Sequence, residues 1–380
     1  MREINVYGTG VNAIRFVLLN RDVKIMAFIE GKKQEYQKAF MADAFRSLVP
    51  VVPFEDAGSI LKNRYTVIAS SEDAYCEIKD KLEQEYALVE FEDFEYYMTY
   101  RKKIAVAYGN CHMLWIKKAL TLSKAFSSIY GFYPLDAICS YKECGGIKSN
   151  VFEKCDLFIH QCIWEKNEYG SEFSSNNFIK KIPSKCKIIG VPNLYKMPRF
   201  MFPQIVDDDN LQWENFGWFY RDYYIDTNYK HMNVVQIRDM IMDDNLICAN
   251  DILLGQEAFY EKVRLREKEW DIKILDFLRN RMQEEHLFHD LGHPTNAVMS
   301  FIAMKILELL QISSKGLDMN VLYSLDASEV PIYKSVSSTL GLKYNVNVIR
   351  KSQGRKLNMC QMDLEEYIKQ YIAWHFPQIS

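Results

Sequence analysis

The sequence predicts an α/β protein with mainly parallel sheets, and three observations carry that prediction. Short apolar runs alternate with helix-like stretches over much of the chain, the pattern of strands joined by helical crossovers. Glycine-bearing turns, Gly8-Thr9-Gly10 and Gly109-Asn110-Cys111, follow two of these runs directly. At 380 residues, 48% hydrophobic and 26% charged, the chain is globular and too long for one ordinary core. Two domains are expected, 1–100 and 101–380, the second with a C-terminal appendage from about residue 313.

The first domain opens with the apolar run Ile4–Tyr7, the Gly8–Ala13 turn and the helix-like Ile14–Leu19. A second run, Lys24–Ile29, ends at Glu30, twenty residues beyond Gly10. Strand, glycine turn, helix, strand and acid make up most of a Rossmann-like, dinucleotide-type βαβ unit. Gly8 and Gly10 let the backbone approach a phosphate at a helix N-terminus, and Glu30 can bond a ribose hydroxyl, so these three are the candidate cofactor-binding residues. The same turn also serves folding alone. Tyr65–Ser70 reads as a third buried strand and Glu72–Glu83 as a helix.

The second domain begins at Lys102. Ile104–Tyr108 is a buried strand, Gly109-Asn110-Cys111 a sharp turn and His112–Lys124 an apolar-faced helix. Cys155–His160 and Cys186–Val191 read as further strands, with a short helix closing at Phe178–Lys181 between them. Asp251–Glu285 reads as mostly helical, and Thr295–Leu310 as a helix with Thr295 at its N-cap. Asn320–Tyr323, Val346–Ile349 and Leu364–Trp374 are the candidate elements of the appendage.

Composition excludes some classes. A net charge of −3 leaves no basic footprint for nucleic acid. No stretch approaches the ~18 uninterrupted apolar residues of a membrane span. The opening MREINVYGTG lacks the apolar core of a signal peptide, so a cytoplasmic protein is expected. Nine scattered cysteines suit reduced thiols better than a disulfide framework.

Two places carry chemistry. Cys111 lies where a strand gives way to a helix, and a thiol there has its thiolate favoured by the helix dipole and free N–H groups. Against this, free cysteine is commonly a small buried hydrophobe. His286, His289, Asp290 and His293 fall within eight residues just before a helix. Asp290 can orient the His293 imidazole. The alternative is a solvated loop around a helix cap. The three histidines with Asp290 could also hold a metal, but no cysteine pair completes a zinc pattern and none is expected.

Together these motifs have the order of the SGNH hydrolase and acyltransferase superfamily, with Gly109-Asn110-Cys111 in place of Gly-Asp-Ser. Gly-Asn-Cys after a strand, a strand ending in Gln161 and the Asp290-Leu291-Gly292-His293-Pro294 turn more closely resemble the WcbI family of polysaccharide-biosynthesis proteins. The resemblance covers about Lys102 to Leu310 and implies an SGNH-like domain, larger than the first, with a mainly parallel sheet. It implies acetyl transfer from acetyl-CoA to a sugar hydroxyl of a capsular or surface polysaccharide precursor, with CoA and that sugar as partners.

Carried over, Cys111 is the nucleophile, His293 the general base and Asp290 its orienting carboxylate, with Gln161 and Asn110 at the oxyanion and substrate side. Asn110 replaces the usual Asp, which leaves direct transfer open, with Cys111 only lining the site. Gly145 and Gly146 are candidates for the superfamily's middle glycine motif. Past another strand end, Asn193 and Tyr195 could bond sugar hydroxyls and Arg199 a phosphate. The aromatics Trp213, Phe216, Trp218, Phe219 and Tyr220 suit either a stacked sugar or a core. Residues 1–94 resemble the small Rossmann-like domains attached to sugar-modifying acyltransferases and methyltransferases. An SGNH-like carbohydrate esterase and a non-catalytic nucleotide-sugar-binding protein are the alternatives. The oligomeric state, a homo-oligomer included, stays open.

Overall fold

The computed structural model describes residues 2–31, 49–141, 147, 150–167, 169–206, 220–315, 317, 329–344, 346, 349–353 and 356–377. Gly145, Gly146, the segment Asn320–Tyr323 and the aromatics from Trp213 to Phe219 lie outside these residues. The chain divides into two compact units, Met1–Lys117 with Lys124–Ile189, and Lys118–Ser123 with Gly190–Ser380. The boundary expected near residue 100 falls inside the first unit, between its two sheets.

The first sheet comprises β1 (Glu3–Tyr7), β2 (Lys24–Glu30), β3 (Val51–Pro53), β4 (Thr66–Ile68) and β5 (Phe94–Tyr96), in the order β3-β2-β1-β4-β5. Every pairing in it is parallel. Helices α1 (Val11–Leu19), α2 (Gly58–Asn63) and α3 (Glu72–Tyr86) connect the strands. Ser71 caps α3 through Ala74 N–H, and Ala87 ends it in the left-handed conformation. Strand order reverses at the β1–β4 pair, so a crevice opens beyond their carboxyl ends.

The second sheet runs β7-β6-β8-β9, from β6 (Lys103–Tyr108), β7 (Tyr130–Phe132), β8 (Leu157–Gln161) and β9 (Lys187–Val191). β6 pairs in parallel with both β7 and β8. α4 (Cys111–Leu122) follows β6 directly, and α5 (Lys124–Ile129) and α6 (Ser175–Ile179) are shorter. β8 is buried along its whole length, which explains its unbroken apolar start.

One buried cluster joins the two sheets of this unit, including Tyr75, Tyr96, Tyr108, Tyr133, Phe152 and Phe158. Each large side chain so buried contributes roughly 1.5–3 kcal/mol. The buried Glu90 accepts hydrogen bonds from Tyr75 at 2.7 Å and Tyr133 at 2.8 Å, so their hydroxyls are not stranded.

The second unit is mainly helical. α7 (Val234–Ile241) begins in a capping box between Asn233 and Gln236. The stretch expected to be mostly helical resolves into α8 (Ala249–Arg266) and α9 (Leu275–Arg281). The break is built in: Glu267 Oε1 accepts the N–H groups of Ile274 and Leu275, satisfying the start of α9. α10 (Asn296–Leu309) is followed by α11 (Lys334–Leu340), a hairpin of β10 (Ile349–Gln353) with β11 (Lys356–Met362), and α12 (Leu364–His375). α12 packs on α7, and α11 on α8.

A buried polar network ties this unit together. The Asp222 carboxylate accepts from Tyr224 and Ile225 N–H and from the Tyr333 hydroxyl at 2.7 Å. Tyr371 accepts from Asp222 N–H and donates to Asp226.

Candidate functional site

In the first unit, β6 ends at Tyr108 and α4 starts at Cys111, so Gly109 and Asn110 must reverse the chain within two residues. Gly109 does so at φ 153°, and a Cβ there would stand 2.5 Å from Gln161 Oε1. Asn110 caps the helix: its Oδ1 accepts from His112 N–H at 3.0 Å. Its own N–H donates to Gln161 Oε1 at 2.9 Å.

That second bond fixes the chemistry around Gln161. Because Oε1 accepts a backbone N–H, the amide nitrogen faces His112 Nδ1 at 3.3 Å. A nitrogen donor there makes Nδ1 the acceptor and leaves the His112 proton on Nε2. Gln161 is fully buried, and these contacts brace the Gly109-Asn110-Cys111 turn. Sequence reasoning passed over His112, although it adjoins Cys111 in the motif. Cys111 itself is partly exposed at the first residue of α4.

In the second unit, residues 288–294 form a tight hairpin. Phe288 pairs with Pro294, and His289 N–H donates to His293 O at 2.8 Å. Inside the loop, Asp290 Oδ1 accepts Gly292 N–H at 2.6 Å and His293 N–H at 2.8 Å. His293 Nδ1 lies 3.0 and 2.8 Å from the two carboxylate oxygens. Burial works to raise the Asp290 carboxyl, but the charge and hydrogen bond of His293 and the Gly292 N–H outweigh it and hold it below the usual range. An ionised Asp290 accepts a hydrogen bond from Nδ1–H, which leaves the basic lone pair on Nε2.

The residues expected beyond β9 gather at this hairpin in part. Lys196 N–H donates to Leu291 O at 2.8 Å, tying the 192–199 loop to it. The Tyr195 and Tyr220 side chains cover Gly292, where a Cβ would stand 2.8 Å from the Tyr220 hydroxyl and 3.1 Å from the Tyr195 ring. Asn193 Oδ1 accepts Tyr195 N–H at 3.1 Å, which shapes the loop. Arg199 is exposed and donates to Ile205 O at 3.2 Å.

Thr295 stands at the N-cap of α10, as expected, but makes no side-chain cap. Its hydroxyl donates to His286 O at 2.8 Å instead, closing the hairpin. His286 and His289 both face Glu329 through Nδ1. Burial works to raise the Glu329 carboxyl, and the hydrogen bonds and charges of His286 and His289 outweigh it and hold it well below the usual range. No motif in the sequence signalled Glu329.

Gly8, Gly10 and Glu30 line one cavity of about 540 Å³ at the crevice of the first sheet, with Asn12, Ser70 and Lys81. Gly8 holds φ 109°, and a Cβ there would stand 3.0 Å from Ala69 O. Glu30 accepts a hydrogen bond from the Thr9 hydroxyl.

Comparison with known proteins bears on residues 104–315, more than half of the chain, which match the family described as polysaccharide biosynthesis enzyme WcbI. A solved structure of WcbI aligns at a TM-score of 0.56 and 18% identity, covering 72% of this chain and 90% of that one. That structure is described as the native protein without a disulfide bond between CoA and one of its cysteines. No curated protein matches the chain. The chain is therefore a member of the WcbI polysaccharide biosynthesis enzyme family.

Proposed function

We propose that this protein transfers an acetyl group from acetyl-CoA to a sugar hydroxyl of a surface-polysaccharide precursor, such as a capsule component. The Asp290–His293 pair carries the proposal, because both carboxylate oxygens hold Nδ1 and leave Nε2 as the base. In this reading Nε2 accepts the proton of the sugar hydroxyl as its oxygen attacks the thioester carbonyl. The tetrahedral intermediate then expels the CoA thiolate, which takes up that proton. Tyr195 and Asn193, on the loop tied to the hairpin, are assigned to the sugar, and Arg199 to a phosphate.

Cys111 is taken to lie at the thiol end of CoA. The description of the WcbI relative, which names CoA together with one of its cysteines, supports that assignment. The bracing role of Gln161 and the capping role of Asn110 favour direct transfer over an acyl-cysteine route. On this reading residues 101–380 carry the SGNH-like reaction, with the end of the chain as an appendage.

The cavity around Gly8, Gly10 and Glu30 supports a second, separate role for the Rossmann-like unit, binding a nucleotide or nucleotide sugar. A thermal-shift screen of the full chain tests both assignments. CoA at a hundredfold excess over Kd should add roughly 2.7 kcal/mol of stability. No shift with millimolar CoA, beside a clear one with a nucleotide sugar, would leave only the second role.

A further inference from the structure

We propose that His286, His289 and Glu329 form a binding site for a divalent transition-metal cation, zinc by donor type, which clips the segment at 329–330 to the hairpin bearing His293. The three side chains offer ligand atoms that all lie within 4.8 Å of one another. His289 and Glu329 are buried, and His286 is partly exposed. Two imidazoles and a carboxylate with one position left for water is a donor set that zinc accepts.

The distances suit a shared cation as well as hydrogen bonds. His289 Nδ1 and His286 Nδ1 approach the same oxygen, Glu329 Oε1, at 3.2 and 3.5 Å. Within the same hairpin, the hydrogen-bonded His293–Asp290 contact is 2.8 Å, the length of a charge-assisted bond. Donors 2.0–2.1 Å from a tetrahedral cation stand about 3.3–3.4 Å apart. The two longer contacts match that edge. Both rings also engage through Nδ1 alone, because His286 Nε2 and His289 Nε2 are buried with no hydrogen-bond partner among the described residues.

The backbone holds the donors in place before any ion arrives. Val330 N–H donates to His289 O at 2.9 Å, which sets Glu329 beside His289. Thr295 fixes His286 through its hydroxyl, and Thr295 N–H donates to Leu287 O. A ligand set spread over two chain segments and tied by main-chain bonds is pre-organised, so binding orders little.

The test is calorimetry with zinc alone on the full-length, chelator-stripped protein, freed of any histidine tag. One zinc per chain is expected, together with a rise in Tm. Glu329→Gln preserves shape and His286→Ala alters a partly exposed position, so both variants should fold. Each should weaken zinc binding by at least about tenfold, since even outer-shell partners cost that much. Substituted cobalt should give a spectrum without the thiolate charge-transfer band that cysteine ligation produces. No zinc uptake, equal uptake by both variants, or a thiolate band would each overturn the site and leave a hydrogen-bonded triad. None of these readouts depends on acyl transfer, so the proposed reaction stands or falls separately.

Discussion

Asn110 N–H donates to Gln161 Oε1 at 2.9 Å, so the turn that follows β6 is locked to the last residue of β8. The parallel register carries Tyr108 opposite His160, which brings Gln161 level with Gly109 and Asn110. A buried amide at the end of one strand thereby sets the shape of the loop after its neighbour.

Gln161→Leu should expose the cost of that lock. It removes the Gln161 acceptor from the buried Asn110 N–H, a loss of about 1–3 kcal/mol. Chemical denaturation should show a lowered midpoint with an unchanged slope. Gly109→Ala should be at least as harmful, because its Cβ meets the Gln161 amide and its backbone is left-handed.

Removing the proposed base should slow the proposed reaction and spare binding. His293→Ala is expected to cut acetyl transfer by ~10²–10⁴-fold, with CoA affinity unchanged by calorimetry. Asp290→Asn should fall between that variant and wild type, because the imidazole survives without its charged partner. Near-normal transfer by His293→Ala would remove the mechanism.

Cys111→Ala separates the two routes. Direct transfer predicts acetylation within about tenfold of wild type and no acyl adduct by intact mass. Wild type held with CoA under oxidising conditions should gain the mass of a mixed disulfide, and the variant should not. A trapped acyl-thioester on Cys111 would instead establish covalent catalysis.

Stability of the second unit should fall as pH rises toward neutrality. Burial pushes the Asp222 carboxyl up to about 7, against the hydrogen bonds of Tyr333 and the backbone of Ile225 and Tyr224. The folded state then binds a proton more tightly than the unfolded chain, whose carboxyl titrates near ~3.9. The stabilisation is complete below that value and is lost as pH climbs through about 7, a change on the order of a few kcal/mol. Asp222→Asn should flatten that dependence in thermal melts between pH 4 and 8.

The sequence was legible where structure and chemistry are local. Apolar runs gave β1, β4, β6 and β8 to within a few residues, because both faces of a parallel sheet are covered and no alternation blurs the signal. Asp290 and His293 could be paired from spacing alone, as a three-residue turn permits little else. Glu329 could not, since forty residues separate it from His289 and only tertiary packing joins them. The bracing role of Gln161 was hidden for a related reason: it depends on the register between β6 and β8. Thr295 has the residue type of a cap, but a nearby carbonyl competes for its hydroxyl and wins.

Asp290 spends one carboxylate on two tasks, closing the backbone loop through Gly292 and His293 and steadying the imidazole through Nδ1. Loop shape and imidazole orientation are therefore a single degree of freedom. Warming that frays this one loop would misdirect the imidazole while the helices around it stay folded. Heat inactivation should accordingly set in below the melting transition seen by circular dichroism, and reverse on cooling.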